Sequence, residues 1–344
     1  MKIVTDLIII AVGFYLTILL IPPLIRFCHN HNYLDQPGGR KIHKKAVPRL
    51  GGLVMFISFI AAGGTGLLFY PSLIDEIGYE LIGITLSLIV LLIAGLIDDL
   101  RGLSPLQKLI FQSVAALLTI YFGYQIRLLT IPFEGTVSLG LWGMPVTFIW
   151  IVGLINAMNF LDGMDGLATG VGFIVAATFF VSGLIFKTTF PVIISCALMG
   201  VTAGFLKYNY PPASIFMGDT GSMMLGYMFA VISVIWPKSL ATVTMIVPIM
   251  ALGVPISESF ITITRRILTG KKVYQADTRH IFHILLDFGI SQNAILWIFY
   301  LTSMLFSFMV IAILTPNRGL LVGFTAIFIL VVFILLLKSS RKLF

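Results

Sequence analysis

NAMNFLDGMDGLATG, Asn156 to Gly170, interrupts apolar sequence on both sides. Nearly every residue for a dozen positions before it is apolar, and another long apolar run follows. Two carboxylates, Asp162 and Asp165, and two carboxamides, Asn156 and Asn159, therefore stand where a hydrophobic helix should be ending. Such side chains are costly to bury unless they are paired or hold a cation. Gly163 and Gly166 add a backbone that can turn sharply and approach a ligand closely. The stretch predicts the end of a membrane-spanning helix, with a functional cluster at that boundary.

The rest of the chain agrees. Its 344 residues are 58% hydrophobic and only 10% charged, against about 25% charged in a soluble domain. A spanning helix needs about 20 apolar residues. Charge and turn clusters divide the chain into eleven such runs, at 3–26, 50–70, 81–98, 106–123, 144–160, 166–186, 189–207, 215–236, 240–267, 293–314 and 319–338. An all-α polytopic membrane protein is expected, one catalytic domain over residues 1–344, with about eleven spans. Pro22-Pro23 predicts a kink or a helix end in the first span, and Pro248 and Pro255 predict a broken ninth, with Glu258 near the interface. The first run is too long for a signal's apolar core and lacks a small-residue cleavage site. Cys28 and Cys196 lie in different segments without a CxxC, which supports neither a disulfide framework nor a zinc site.

Assigning loops alternately places seventeen of the 22 Lys and Arg residues on one side. That side is cytoplasmic by the positive-inside rule, with the N-terminus outside and the C-terminus inside. The polar motifs all fall on it. The loop DQPGGRKIHKKAVPRLGG, Asp35 to Gly52, carries Lys41, His43 and Arg49 among its basic residues. Its charge suits a phosphorylated ligand and equally a lipid-headgroup anchor. Asp98 and Asp99 end span 3 as adjacent like charges, so a metal or a cation such as Arg101 or Lys108 is expected beside them. Ser104-Pro105 reads as the cap and first turn of span 4. FMGDTGS, Phe216 to Ser222, places Asp219 on a helix start whose N–H groups are free to meet an anion. Arg279, His280 and His283 form a cationic cluster suited to phosphate contact. The outer segment around Glu134-Gly135 reads as a small hairpin. Carboxylates and carboxamides favour a hard cation, and Mg²⁺ binds through one or two carboxylates plus substrate phosphates. An acidic centre ringed by basic loops is the layout of phosphoryl transfer.

These motifs, in this order, resemble the polyprenyl-phosphate N-acetylhexosamine-1-phosphate transferases, in particular the bacterial undecaprenyl-phosphate GlcNAc-1-phosphate transferase branch. The resemblance covers almost the whole chain. It implies transfer of GlcNAc 1-phosphate from UDP-GlcNAc to undecaprenyl phosphate with release of UMP, at the cytoplasmic face of a bacterial inner membrane. It assigns Asp219 and Asn159 to Mg²⁺, with Mn²⁺ as a substitute. It also associates Asp98 and Asp99 with the lipid phosphate and metal, Asp165 with the nucleotide base, and Arg279, His280 and His283 with the pyrophosphate or sugar. Asp162 reads as a substrate-side residue behind these. Two departures from the family pattern stand out. Phe282 occupies the middle of the usual HxHH, either stacking on a base or sugar or burying against the loop, and Glu258 replaces an Asp. A phosphate monoester is mostly dianionic at neutral pH, so its oxygen can attack without a strong base. Asp98 and Asp99 are then expected to organise metal and charge, with proton removal by Asp98 the second reading.

Other readings share these features. UDP-MurNAc-pentapeptide or another UDP-N-acetylhexosamine would use the same chemistry. A lipid or sugar transporter would carry internal repeats and midplane polar sites, and neither is evident. The partners implied are a UDP-amino sugar, undecaprenyl phosphate and the bilayer, with no nucleic acid. The downstream glycan (wall teichoic acid and O-antigen among them) is left open. So is oligomeric state, although the small residues of AAGGTG, Ala61 to Gly66, would suit a helix contact or a homodimer.

Overall fold

The structure is a computed structural model, and it describes residues 2–38, 45–131, 135–235, 245–268 and 280–315. The protein is an all-α polytopic membrane protein. Its helices are α1 (Lys2–Asn30), α2 (Gly51–Phe69), α3 (Ser72–Arg101), α4 (Pro105–Tyr121), α5 (Gly143–Leu161) and α6 (Leu167–Ile185). They continue with α7 (Thr189–Asn209), α8 (Gly218–Ile235), α9 (Ile246–Ala251), α10 (Gly253–Leu268), α11 (Ile281–Asp287) and α12 (Gln292–Leu314). Among the described residues, eight helices are long and apolar enough to cross a membrane. The fourth expected span is the shorter 17-residue α4, and the eleventh lies outside the described residues.

Among the described residues there are also two antiparallel strand pairs. β1 (Leu34–Asp35) pairs with β2 (Val47–Pro48), and β3 (Leu128–Ile131) with β4 (Gly135–Ser138). The second is the expected hairpin. Ser104 caps α4 in a reciprocal box with Gln107, as the Ser-Pro signal predicts.

The structure narrows two expectations. Helix α1 does not end at Pro22-Pro23 but runs on to Asn30. Pro22 has no N–H for the carbonyl of Ile18, and the Tyr208 hydroxyl donates to that oxygen instead, at 3.2 Å. The ninth span does break, but at Leu252, three residues before Pro255, where the backbone leaves helical angles between α9 and α10. Glu258 is fully buried within the protein, on the first half of α10.

Helix α8 is the axis of the bundle. Nearly all its residues are buried, against α2, α3 and α5. Its backbone meets that of α2 at Gly52 and Gly221, and a Cβ on Gly52 would collide with Gly221. Small residues allow this approach where lipid gives no hydrophobic drive between helices. In the AAGGTG stretch Ala62 and Gly66 are buried, and Gly63 and Gly64 have no atoms near a would-be Cβ.

Candidate active site

The C-termini of α3 and α5 and the N-termini of α2, α4, α6 and α8 meet at one end of the bundle. There one oxygen each of Asp98, Asp99 and Asp219 lie within 4.8 Å of one another. Such proximity of carboxylates persists only with compensation.

Asp99 is compensated by the start of α8. Its completely buried carboxylate accepts the N–H groups of Asp219 (2.8 Å) and Thr220 (3.2 Å) and the Thr220 hydroxyl (2.7 Å). Gly218 enters the helix at φ +63°, a left-handed angle that favours glycine, and a Cβ there would strike this carboxylate. The expectation that these N–H groups await an external anion is therefore corrected: the chain supplies its own anion from α3.

Asp98 is held differently. One oxygen accepts the Leu103 N–H at 2.7 Å, and the other faces Lys108 Nζ at 3.0 Å and Arg49 at 3.5 Å. Lys108 also binds Asp219 at 2.5 Å, while Arg49 reaches Asp99 at 3.5 Å and Asp219 at 3.7 Å. Burial opposes the charge on Arg49, but the pull of Asp99, Asp219 and Asp98 outweighs it and raises its pKa above the ordinary value. Of the two local candidates, Lys108 is the partner and Arg101 is exposed. Lys108 arrives because the Ser104 cap starts α4 at once after α3, leaving the lysine one turn inside.

The four polar residues of Asn156–Gly170 separate. Asn156 donates to Gln112 (2.7 Å) and to the Val152 carbonyl, tying α5 to α4. Asn159 donates to Ser222 (3.1 Å), one turn into α8 from the carboxylates. Asp165 accepts the Ala213 N–H at 3.0 Å and so holds the α7–α8 loop. Asp162 is half-buried, and its pKa is pushed well above the usual carboxylate range by desolvation, then by the charges of Asp219 and Asp99. Asn209 accepts from the Gly166 N–H and the Thr169 hydroxyl, and Tyr300 donates to the Gly166 carbonyl at 2.6 Å. The turn is pinned from both sides.

The histidine segment closes over this turn. Phe282 is completely buried, its ring lying where a Cβ on Gly163 would be. Of the two fates open to Phe282, burial against the loop is the one observed. His280 Nδ1 lies 3.0 Å from Glu258. His283 is partly exposed, its pKa lowered by burial and then by His280. Lys41, His43 and Arg279 lie outside the described residues.

Thr220, Ser222 and the Glu258 partnership are additions to the sequence reading, whereas Lys108 is one of the two cations it expects beside the acidic pair. Thr220 and Ser222 sit within the quoted FMGDTGS, so proximity in sequence was a usable signal. Nothing in the sequence joins Glu258 to His280 across 22 residues. The donor set fits a hard divalent cation, because clustered carboxylate oxygens are the ligands it takes. Asp99 fits this least, since each of its oxygens accepts a backbone N–H that opens α8, whereas one oxygen of Asp98 faces only the mobile side chains of Lys108 and Arg49.

Comparison with known proteins agrees with this chemistry. Residues 81–237, which contain the three carboxylates, match the model of glycosyl transferase family 4. A probable undecaprenyl-phosphate N-acetylglucosaminyl 1-phosphate transferase of Bacillus subtilis is 34% identical over 331 residues, covering 95% of this chain and 90% of that one. A decaprenyl-phosphate N-acetylglucosaminephosphotransferase of Mycobacterium tuberculosis is 32% identical over 77% of this chain and 72% of its own length. A phospho-N-acetylmuramoyl-pentapeptide-transferase of a Thermoanaerobacter species is 33% identical over 78% of this chain and 85% of its own. Sequence similarity over nearly the full length, joined to a buried carboxylate cluster at the helix ends, makes the chain a member of glycosyl transferase family 4, the polyprenyl-phosphate N-acetylhexosamine-1-phosphate transferases.

Proposed function

We propose that the protein transfers GlcNAc 1-phosphate from UDP-GlcNAc to undecaprenyl phosphate, releasing UMP, at the cytoplasmic face of a bacterial inner membrane. The observation that carries this is the cluster of Asp98, Asp99 and Asp219 with Lys108 and Arg49, at one end of an apolar bundle. It holds cations for phosphate oxygens and carboxylates for a metal in one place, which a lipid-phosphate acceptor can reach from the bilayer. The 34% identity to the Bacillus protein across 95% of the chain supports the sugar and the acceptor.

The acceptor oxygen forms a bond to the sugar-bearing phosphorus as the bond from that phosphorus to the UMP oxygen breaks. Asp98 and Asp219, with Asn159 alongside, would hold Mg²⁺, or Mn²⁺ in its place. Such a cation neutralises charge on the phosphates. Lys108 and Arg49 bind phosphate oxygens and lower the repulsion between donor and acceptor. Asp99 sets the angle of α8 and so places Asp219. The Asn156–Gly170 turn, closed by Phe282, supports the nucleotide and sugar together with Asp162, Asp165, His280 and His283, and the sequence adds Arg279, Lys41 and His43 as candidates for phosphate and sugar contact. Asp98 is already committed to Leu103 and Lys108, which favours organising charge over removing a proton.

The test is transfer of labelled sugar phosphate from UDP-GlcNAc to undecaprenyl phosphate by purified protein in detergent, with and without EDTA. A parallel panel of other UDP-N-acetylhexosamines and UDP-MurNAc-pentapeptide sets the donor. Metal-dependent lipid-linked product and UMP are expected with UDP-GlcNAc first. No product from any donor would return the transporter reading.

A further inference from the structure

We infer that Glu258 is a positioning residue for His280, fixing its ring with the proton on Nδ1 and leaving Nε2 for the substrate. For catalysis this rests on the transferase reading above; the tautomer itself does not. Glu258 is fully buried on α10, and its Oε1 lies 3.0 Å from His280 Nδ1. The same oxygen accepts the Ile281 N–H, so it is an acceptor and Nδ1 donates to it. A histidine's free nitrogen is set by the bond its other nitrogen makes. Among the described residues none hydrogen-bonds Nε2.

The ring is held in plane as well as in tautomer. His280 stacks on Phe282, with centroids 5.5 Å apart and planes 9° apart, and meets Phe160 at 5.5 Å on α5. Phe160 is next to Asn159, and Phe282 packs on Gly163, so these contacts join the imidazole to the Asn156–Gly170 turn. Oε1 also accepts the Ile281 N–H at 3.2 Å and faces the Thr262 hydroxyl at 3.5 Å, which anchors the start of α11.

A purely structural cap would not need this residue. Neutral Ser, Thr or Asn serves that purpose, whereas Glu258 leaves its buried Oε2 without a hydrogen-bond partner among the described residues. A half-satisfied buried carboxylate costs stability. Retaining it makes sense when the imidazole needs a fixed acceptor that also reaches the Ile281 N–H.

Nitrogen-15 NMR of histidine-labelled protein in detergent reads the tautomer without substrate. Five histidines are present, and His280→Ala assigns the signal. The wild type is expected to show His280 protonated at Nδ1, and Glu258→Ala to convert it to the Nε2–H form. Glu258→Gln, which keeps an acceptor and the fold, is expected to retain the Nδ1–H form. In transfer assays Glu258→Ala should lower kcat/KM by about 10- to 100-fold, and Glu258→Gln by less. The Glu258→Ala/His280→Ala double variant should be no worse than His280→Ala alone. An Nε2–H His280 in the wild type, or additive losses in the double variant, would overturn the proposal. Should Glu258→Ala not fold, the wild-type and Glu258→Gln spectra still decide. A correct tautomer in a protein that makes no lipid-linked product would sink the transferase reading and leave the positioning intact.

Discussion

Replacing Asp99 with Ala tests whether this carboxylate caps α8 or serves as a metal ligand. Its removal strips the acceptor from two backbone N–H groups, of Asp219 and Thr220, and from the Thr220 hydroxyl. Both donor residues are buried, at 7% and 2% exposure, so water does not replace the carboxylate freely. Loss of a helix cap costs about 0.5–2 kcal/mol, and each buried donor left unpaired about 1–3 kcal/mol. Relief of repulsion against Asp98 and Asp219 offsets part of this. The net expectation is a loss of about 2–4 kcal/mol in the absence of metal, from the same two effects. Asp99→Asn keeps one acceptor oxygen and should lose about half as much, and Thr220→Val, which removes one donor, about 1 kcal/mol. The assay is unfolding of purified protein in detergent, in EDTA, followed by intrinsic fluorescence. An unfolding midpoint for Asp99→Ala equal to wild type in EDTA, with loss only of Mg²⁺ protection, would refute the capping role.

Further outcomes follow from the same geometry. Lys108→Met should destabilise the protein in EDTA by about 2–3 kcal/mol, below the 3–5 kcal/mol of a fully buried broken pair because Lys108 keeps 24% exposure. Mg²⁺ should then protect the variant more than the wild type in thermal shift, and equal protection would count against Lys108 sharing the carboxylates with a metal. Asp162→Asn should stabilise the metal-free protein at neutral pH, since the raised pKa of Asp162 means the folded state resists its charge. The folded carboxyl binds its proton more tightly than the unfolded one, whose value is 3.8. Wild-type stability therefore falls as pH rises from the unfolded pKa through the folded one. The gain in Asp162→Asn is largest above that window and vanishes below it, and unfolding across pH checks this. Gly163→Val should abolish sugar-phosphate transfer while leaving membrane insertion intact, because its side chain meets the Phe282 ring. Combining it with Phe282→Ala should recover part of the activity, and no recovery would show that the clash lies elsewhere.

The sequence by itself determined the class of fold and the set of segments that meet at the site. Apolar runs about 20 residues long have few alternatives to spanning helices, because a bilayer leaves no other way to satisfy the backbone. Carboxylates and carboxamides at the ends of those runs then mark one boundary, and Asp98, Asp99, Asn159 and Asp219 are legible for that reason alone. Roles within the cluster were not. Asp98 and Asp99 are neighbours in sequence, but successive residues on a helix point about 100° apart, so one faces Lys108 and the other the start of α8. Which is which depends on how α3 rotates against α8, and the close approach of Gly95 to Thr220 sets that. The prolines predict the break in the ninth span, while its position at Leu252, and the burial of Glu258 beyond it, come from packing. The meeting of Glu258 with His280 is likewise tertiary: a hydrogen bond between side chains 22 residues apart leaves no periodicity in sequence and exists only once α10 has been placed against α5.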